Sequence, residues 1–311
     1  MSEELPVDEY HITHLTAEQA ENLVQRLVQQ LPQHRSLNFH NMTTISIEAA
    51  KVLARNRCSL SMPRVAELSD EVAMALAHHE GPLRLGRCTK VSPKAAEGLA
   101  GQTGWLSLPG LTTLSDQTAK ALGRHRGGLC LGGLTSLSEA AAESLAETDE
   151  RLSLGGLTRI SEQAAQALAR FKGWELSLDG LASLSAEVAK ALSQYKGQLE
   201  LTGHANLELN GLVSFGLADE VLTALSQCPA NLSLNRLATL SDEAAKSLAR
   251  HTGGHLSLDG LTTLSDKAAM ALARYDGDLC LWGLEHVSDK ALAALRKNKR
   301  ITLDFSLRVN E

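Results

Sequence analysis

Leucine, or a close apolar substitute, recurs through most of this chain as a pair separated by one residue. The first members fall at Leu37, Leu60, Leu83, Leu106, Leu129, Leu152, Leu176, Leu207, Leu232, Leu256 and Leu279, and a last apolar pair begins at Ile301. Most steps are 23 residues, as between LSLPGLTTLSDQTAKALGRHRGG from Leu106 and the sequence that follows it. Self-similarity at such a period is the mark of a repeat architecture. The consensus reads LxLxGLxxLSxxAAxALAxxxGx.

Each position in the repeat predicts a local structure. The LxL pair alternates with period two, so it predicts a short strand with both leucines on one face. A third apolar residue (Leu111, Leu134, Leu157) and a fourth (Leu114, Leu137, Ile160) are expected to continue the core. Serine follows in ten of the eleven units, as at Ser115, Ser161 and Ser265, often with Asp or Glu after it. That is an N-cap followed by the negative charge that a helix start favours. An alanine and a leucine three residues apart, such as Ala165 and Leu168, mark the inner face of the helix. Gly81, Gly104, Gly127, Gly173, Gly197, Gly253 and Gly277 are expected to close the helices.

A strand and a helix repeated at this period predict an α/β solenoid with parallel strands on one face and helices on the other. The helix is wider than the strand, so the array is expected to curve with the strands inside. These repeats resemble the leucine-rich-repeat superfamily in its short bacterial form, over about residues 37 to 305. The resemblance implies a right-handed solenoid with a concave strand face that binds protein. One feature departs from the family. Many members carry an asparagine ladder five residues after the first strand leucine, where this chain has Met42, Val65, Cys88 and then leucines from Leu111 to Leu284. Residues 1–36 read as an N-terminal cap, with an amphipathic helix over 16–31 behind Ile12 and Leu15. Residues 37–300 are the repeats, and 301–311 supply a final strand and cover. The rhythm breaks at 199–217, where strand starts at Leu199 and Leu207 lie eight residues apart and Gly216-Leu217 replaces Ser-Asp. Two readings fit that break: an insertion tolerated in a loop, or a bulge that shapes a site.

Composition narrows the function. Aromatic residues are 3% of the 311-residue chain against 43% hydrophobic, so the core is Leu, Ala and Val stacked in thin layers. A formal charge of −6 gives no general attraction to nucleic acid or anionic membranes. The five cysteines are widely spaced and form no CxxC pair, which fits free thiols in a reducing cytoplasm. The first residues have neither the basic start nor the apolar run of a secretory signal.

No catalytic or metal motif is present, and no metal or cofactor is expected. His79, His125 and His251 share one register with Phe171, Tyr195 and Tyr275, so they read as rings near a helix end rather than ligands. Candidate binding residues lie in the outward strand registers. The first half shows Arg84 and Arg151 with His40 and no acid; the second shows Glu175, Asp179, Glu200, Glu208, Asp259, Asp278 and Asp304, against His255 and Arg300. Trp105 and Trp282 occupy outward registers and are open to two readings, interface anchor or partly buried packing residue. The expectation is a non-catalytic, cytoplasmic scaffold for a protein or peptide, of basic character where it meets the acidic half. The alternative is a host-directed or structural repeat protein.

Overall fold

The computed structural model describes residues 11–28, 36–197, 205–213, 218–304 and 308–309. The chain divides into two compact units, Met1–Leu152 and Ser153–Glu311. In the first, β1 (His14–Leu15), α1 (Ala17–Val28), β2 (Ser36–Asn38), β3 (Thr44–Ile45), α2 (Ile47–Ala54), β4 (Ser59–Met62), α3 (Asp70–Ala75), β5 (Leu83–Leu85), α4 (Pro93–Ala100), β6 (Leu106–Ser107), α5 (Asp116–Leu122), β7 (Leu129–Cys130) and α6 (Glu139–Leu145) lead to β8 (Arg151–Ser153). The second continues with α7 (Glu162–Leu168), β9 (Glu175–Ser177), α8 (Ala186–Leu192), β10 (Asn206–Glu208), α9 (Asp219–Leu225), β11 (Asn231–Ser233), α10 (Asp242–Leu248), β12 (His255–Ser257) and α11 (Asp266–Leu272). It ends with β13 (Asp278–Leu281), β14 (His286–Val287), α12 (Asp289–Lys297), β15 (Ile301–Leu303) and β16 (Arg308–Val309). Twelve strands form one sheet in which neighbours follow sequence order, from β2 to β15. Its strands pair in parallel and match leucine to leucine, as in Leu60 with Leu83 and Leu232 with Leu256. No described helix is long and apolar enough to cross a membrane.

The serine–acid pair does more than the local pattern predicts. Ten serines, from Ser46 to Ser288, accept the backbone N–H three residues on, as Ser161 does from Ala164 at 3.1 Å. The exception is α9, whose cap is Ala218 with no side-chain bond. Several of these serines also donate to the acid that starts the preceding repeat's helix: Ser138 to Asp116 at 2.5 Å and Ser241 to Asp219 at 2.6 Å. Caps are therefore linked from repeat to repeat. Ser161→Ala should cost about 1 kcal/mol, as a lost cap. Ser138→Ala should cost more, because it also strips Asp116 of its donor. Urea midpoints compared at constant slope check both.

The strand leucines and the third apolar register form the core: Leu106, Leu129 and Leu134 in one unit and Leu157, Leu232 and Leu256 in the other are fully buried. The fourth register departs from expectation. Leu114, Leu137 and Ile160 are only half-buried, because each lies in the turn before the helix where little covers it. It closes fully where that turn gains a partner strand, as at Val287, whose β14 pairs with β16. The glycines also need a different account. Helices end on αR residues such as Ala146 and Ser193, well before the glycines, and among the described residues only Gly197 has a positive φ, of 51°. A Cβ on Gly104 would lie 2.2 Å from the Gly81 carbonyl oxygen, and one on Gly127 2.2 Å from that of Gly104. Glycine is required there because successive backbones pass in contact.

The N-terminal segment is a partial repeat. Its helix is described over Ala17–Val28, and the rest of the expected 16–31 span, from residue 29, lies outside the described residues. Ile12, Leu15, Ala20 and Leu23 are buried, and β1 pairs with β3. The described part of this segment thus supplies the turn and helix of a repeat, with α1 beside α2. Of the irregular 199–217 stretch, 205–213 is described and carries β10; Leu199 and Gly216-Leu217 fall outside the described residues.

Candidate binding face

The LxL alternation turns one residue in two away from the helices, and the outward residues differ between the units. In Met1–Leu152, the register before the first leucine holds Trp105, Gly128 and Arg151 on neighbouring strands. A Cβ on Gly128 would meet Trp105 ring carbons at 2.3 and 2.5 Å, so the indole lies across the bare glycine. The Arg151 guanidinium stands over that ring at 5.2 Å from its centroid. Trp105 and Arg151 are half-buried, and Arg84, at the centre of β5, is exposed. Trp105 is thus a packed shelf, stabilised by a cation–π contact of about 0.5 to 1 kcal/mol.

In Ser153–Glu311, a polar ladder crosses the strand ends three residues after each first leucine. The Asn210 N–H donates to Asp179 Oδ1 at 2.9 Å, the Asn235 N–H to Asn210 Oδ1 at 3.0 Å, the Asp259 N–H to Asn235 Oδ1 at 3.1 Å, and the Trp282 N–H to Asp259 Oδ1 at 3.0 Å. Strand-centre serines tie in: Ser177 donates to Asp179 Oδ2 at 2.8 Å, and Ser233 to Asn210 Oδ1 at 2.7 Å. A second, shorter ladder runs from Asn206 through Asn231 to the His255 N–H. Asp179 and Asp259 therefore have a role in the fold, which weakens the view that stacked acids serve only a partner.

The other acids separate by burial. Glu175 is 5% exposed and is not a surface acid. Glu208 and Asp304 are half-buried, Asp278 is exposed, and Glu200 lies outside the described residues. Trp282 is 56% exposed, the most exposed large apolar residue among those described. Trp174, which the outward-register reading did not single out, is 37% exposed. Extending that reading one residue toward the N-terminus of the strand would have found it.

The ring register is internal, as expected from its exchange with Phe and Tyr. His79, His125 and His251 are buried; His125 Nε2 lies 3.1 Å from the Gly104 carbonyl oxygen, and Tyr195 and Tyr275 donate to the Gly173 and Gly253 carbonyls at 2.8 and 2.6 Å. Burial holds all three imidazoles below their ordinary pKa, against the pull of nearby backbone carbonyls. Burial pushes the Cys58 and Cys228 thiols up to about 11. At Cys280, burial and the Asp259 charge raise the thiol despite hydrogen bonds with Trp282 and Thr302. None of these thiols is activated as a nucleophile.

No protein-family model matches the sequence, and no curated protein matches it. Among solved structures the chain is similar to an internalin, inlF, from Listeria monocytogenes, at 11% identity over 100% of both chains with a TM-score of 0.50. The chain has the leucine-rich-repeat fold. It is also similar to a leucine-rich-repeat protein of Leptospira interrogans, at 16% identity over 94% of this chain and 93% of that one, with a TM-score of 0.36. Within this leucine-rich-repeat fold the usual asparagine register is apolar and buried, as at Leu212, Leu237 and Leu261. Asparagine and aspartate bridge successive repeats two residues earlier instead, at 179, 210, 235 and 259.

Proposed function

We propose that the protein is a non-catalytic scaffold whose strand face in Ser153–Glu311 binds a basic protein or peptide. The observation that carries this reading is Trp282, an indole 56% exposed on a strand face whose nearby acids include exposed Asp278 and half-buried Asp259 and Asp304. Tryptophan is enriched among the residues that anchor protein interfaces. The surrounding carboxylates would speed encounter with a cationic partner and make binding weaken with salt. The leucine-rich-repeat fold supports a role in protein recognition, and the five free cysteines support a reducing, cytoplasmic setting.

The test is selection of peptides from a random library on the immobilised full chain. The enriched peptides should be rich in Lys and Arg, and their binding should fall as salt rises. Trp282→Ser should weaken binding about tenfold or more, as hot-spot truncations do, with the melting temperature held. Asp278→Ser should reduce the salt dependence; Asp259 is avoided because it holds the ladder. Acidic peptides that bind regardless of Trp282 would move the interface to Arg84, Trp105 and Arg151 in the first unit.

A further inference from the structure

One strip of the helix side of Ser153–Glu311 carries charge opposite to that around Trp282. A groove of about 520 Å³ lies between α10 and α11. Its floor is half-buried Ala249, Met270 and Ala271, and its rim is Lys246, Arg250, Lys267 and Arg274. Lys246 pairs with Glu243 at 2.6 Å, and Lys267 stands 4.0 Å from Asp242. Arg250 and Arg274 hold the same position in successive repeats. Both are exposed, and neither side chain has an ion pair or hydrogen bond among the described residues. The partial negative charge at helix C-termini favours cations there, which accounts for the sign of these residues. It does not require an apolar floor between them.

An exposed indole among carboxylates on one side is thus complementary in charge and polarity to an apolar-floored groove rimmed by four cations on the other. We infer that the Trp282 face of one copy seats in the α10–α11 groove of another. This rests on the strand-face reading above and names the basic partner as the chain's own helix side. Trp282 would cover Met270 and the two alanines, while Asp278 and its neighbours approach Arg250 and Arg274. A flat anionic membrane fits the groove less well. The same helices carry Asp242, Glu243 and Asp266 at their other ends, so the positive charge is confined to a strip rather than spread over a plane. The two surfaces differ, so the contact is heterologous: a pair of copies keeps one knob and one groove unfilled, and association continues beyond a dimer. With one anchor per contact, it belongs to the small, weak class of interface and should be salt-sensitive.

Sedimentation velocity on the full chain tests this. The mean mass should rise with concentration at low salt and fall back toward monomer at high salt. Trp282→Ser, and separately the pair Arg250→Glu with Arg274→Glu, should each weaken association about tenfold or more. An equimolar mixture of the two variants should form a dimer that grows no further, because one supplies the intact groove and the other the intact indole. A wild-type chain that stays monomeric throughout overturns the inference, as does self-association unchanged by either variant. A monomer that still binds basic peptides through Trp282 sinks only the self-pairing and leaves the strand-face reading standing. A monomer that binds none removes both.

Discussion

Leu157→Ala should lower the free energy of unfolding by about 2 to 5 kcal/mol, the range for a truncated core leucine. Leu157 is fully buried in the turn behind its strand, and its N–H donates to the Leu154 carbonyl at 3.1 Å. The layer is thin and poor in aromatic residues, so few large side chains can move to fill the space. Leu114→Ala, at the half-buried position three residues further along an equivalent repeat, should cost distinctly less. Urea midpoints at unchanged slope measure the difference. Equal costs at the two positions would show that the burial assigned to these registers is wrong.

Acidification should destabilise the protein beginning near pH 6.5, the ordinary imidazole value. His79, His125 and His251 have lowered pKa values in the fold, with burial the first cause. Below that pH the unfolded chain binds protons on these rings that the folded chain does not, so stability rises with pH and is lost as pH falls. Each ring that stays neutral costs about 1.4 kcal/mol per pH unit below its unfolded value, until its folded pKa is reached. His79→Phe places in this register the ring already found at Phe171 and removes one such proton. Its stability should fall less than that of the wild type between neutral and mildly acid pH. Parallel pH profiles would contradict this account.

Repeat boundaries, strand direction, helix caps and the internal ring register were legible because each rests on a residue type repeated at one spacing. Serine at the caps and leucine in the strands left no competing assignment. The glycine register was misread: a glycine shortly after a helix suggests a left-handed cap, and nothing local reveals that the preceding repeat's carbonyl oxygen lies 2.2 Å from where its Cβ would be. The polar ladder was missed because asparagine was sought five residues after the strand leucine and stands three after it, mixed with aspartate. Those aspartates were therefore counted wholly as surface charge. Burial of Glu175 could not be read either, since its own alternation placed it outward. Trp282 was legible as outward-facing, but its exposure was not.

The ladder also bears on how such a chain can change length. Each rung joins a backbone N–H to a side-chain oxygen at the same place one repeat earlier, so a rung depends only on its two neighbours. Removal of residues 232–255 would bring the Asp259 N–H, which now donates to Asn235, opposite Asn210, which offers an oxygen of the same kind. The loss of one whole repeat leaves no orphaned donor at the new junction, whereas a deletion of a few residues would break every contact beside it. In-phase duplication or loss of coding segments is therefore the kind of mutation this architecture tolerates, and near-copies such as LSLPGLTTLSD and LSLDGLTTLSD are what a history of such events would leave behind.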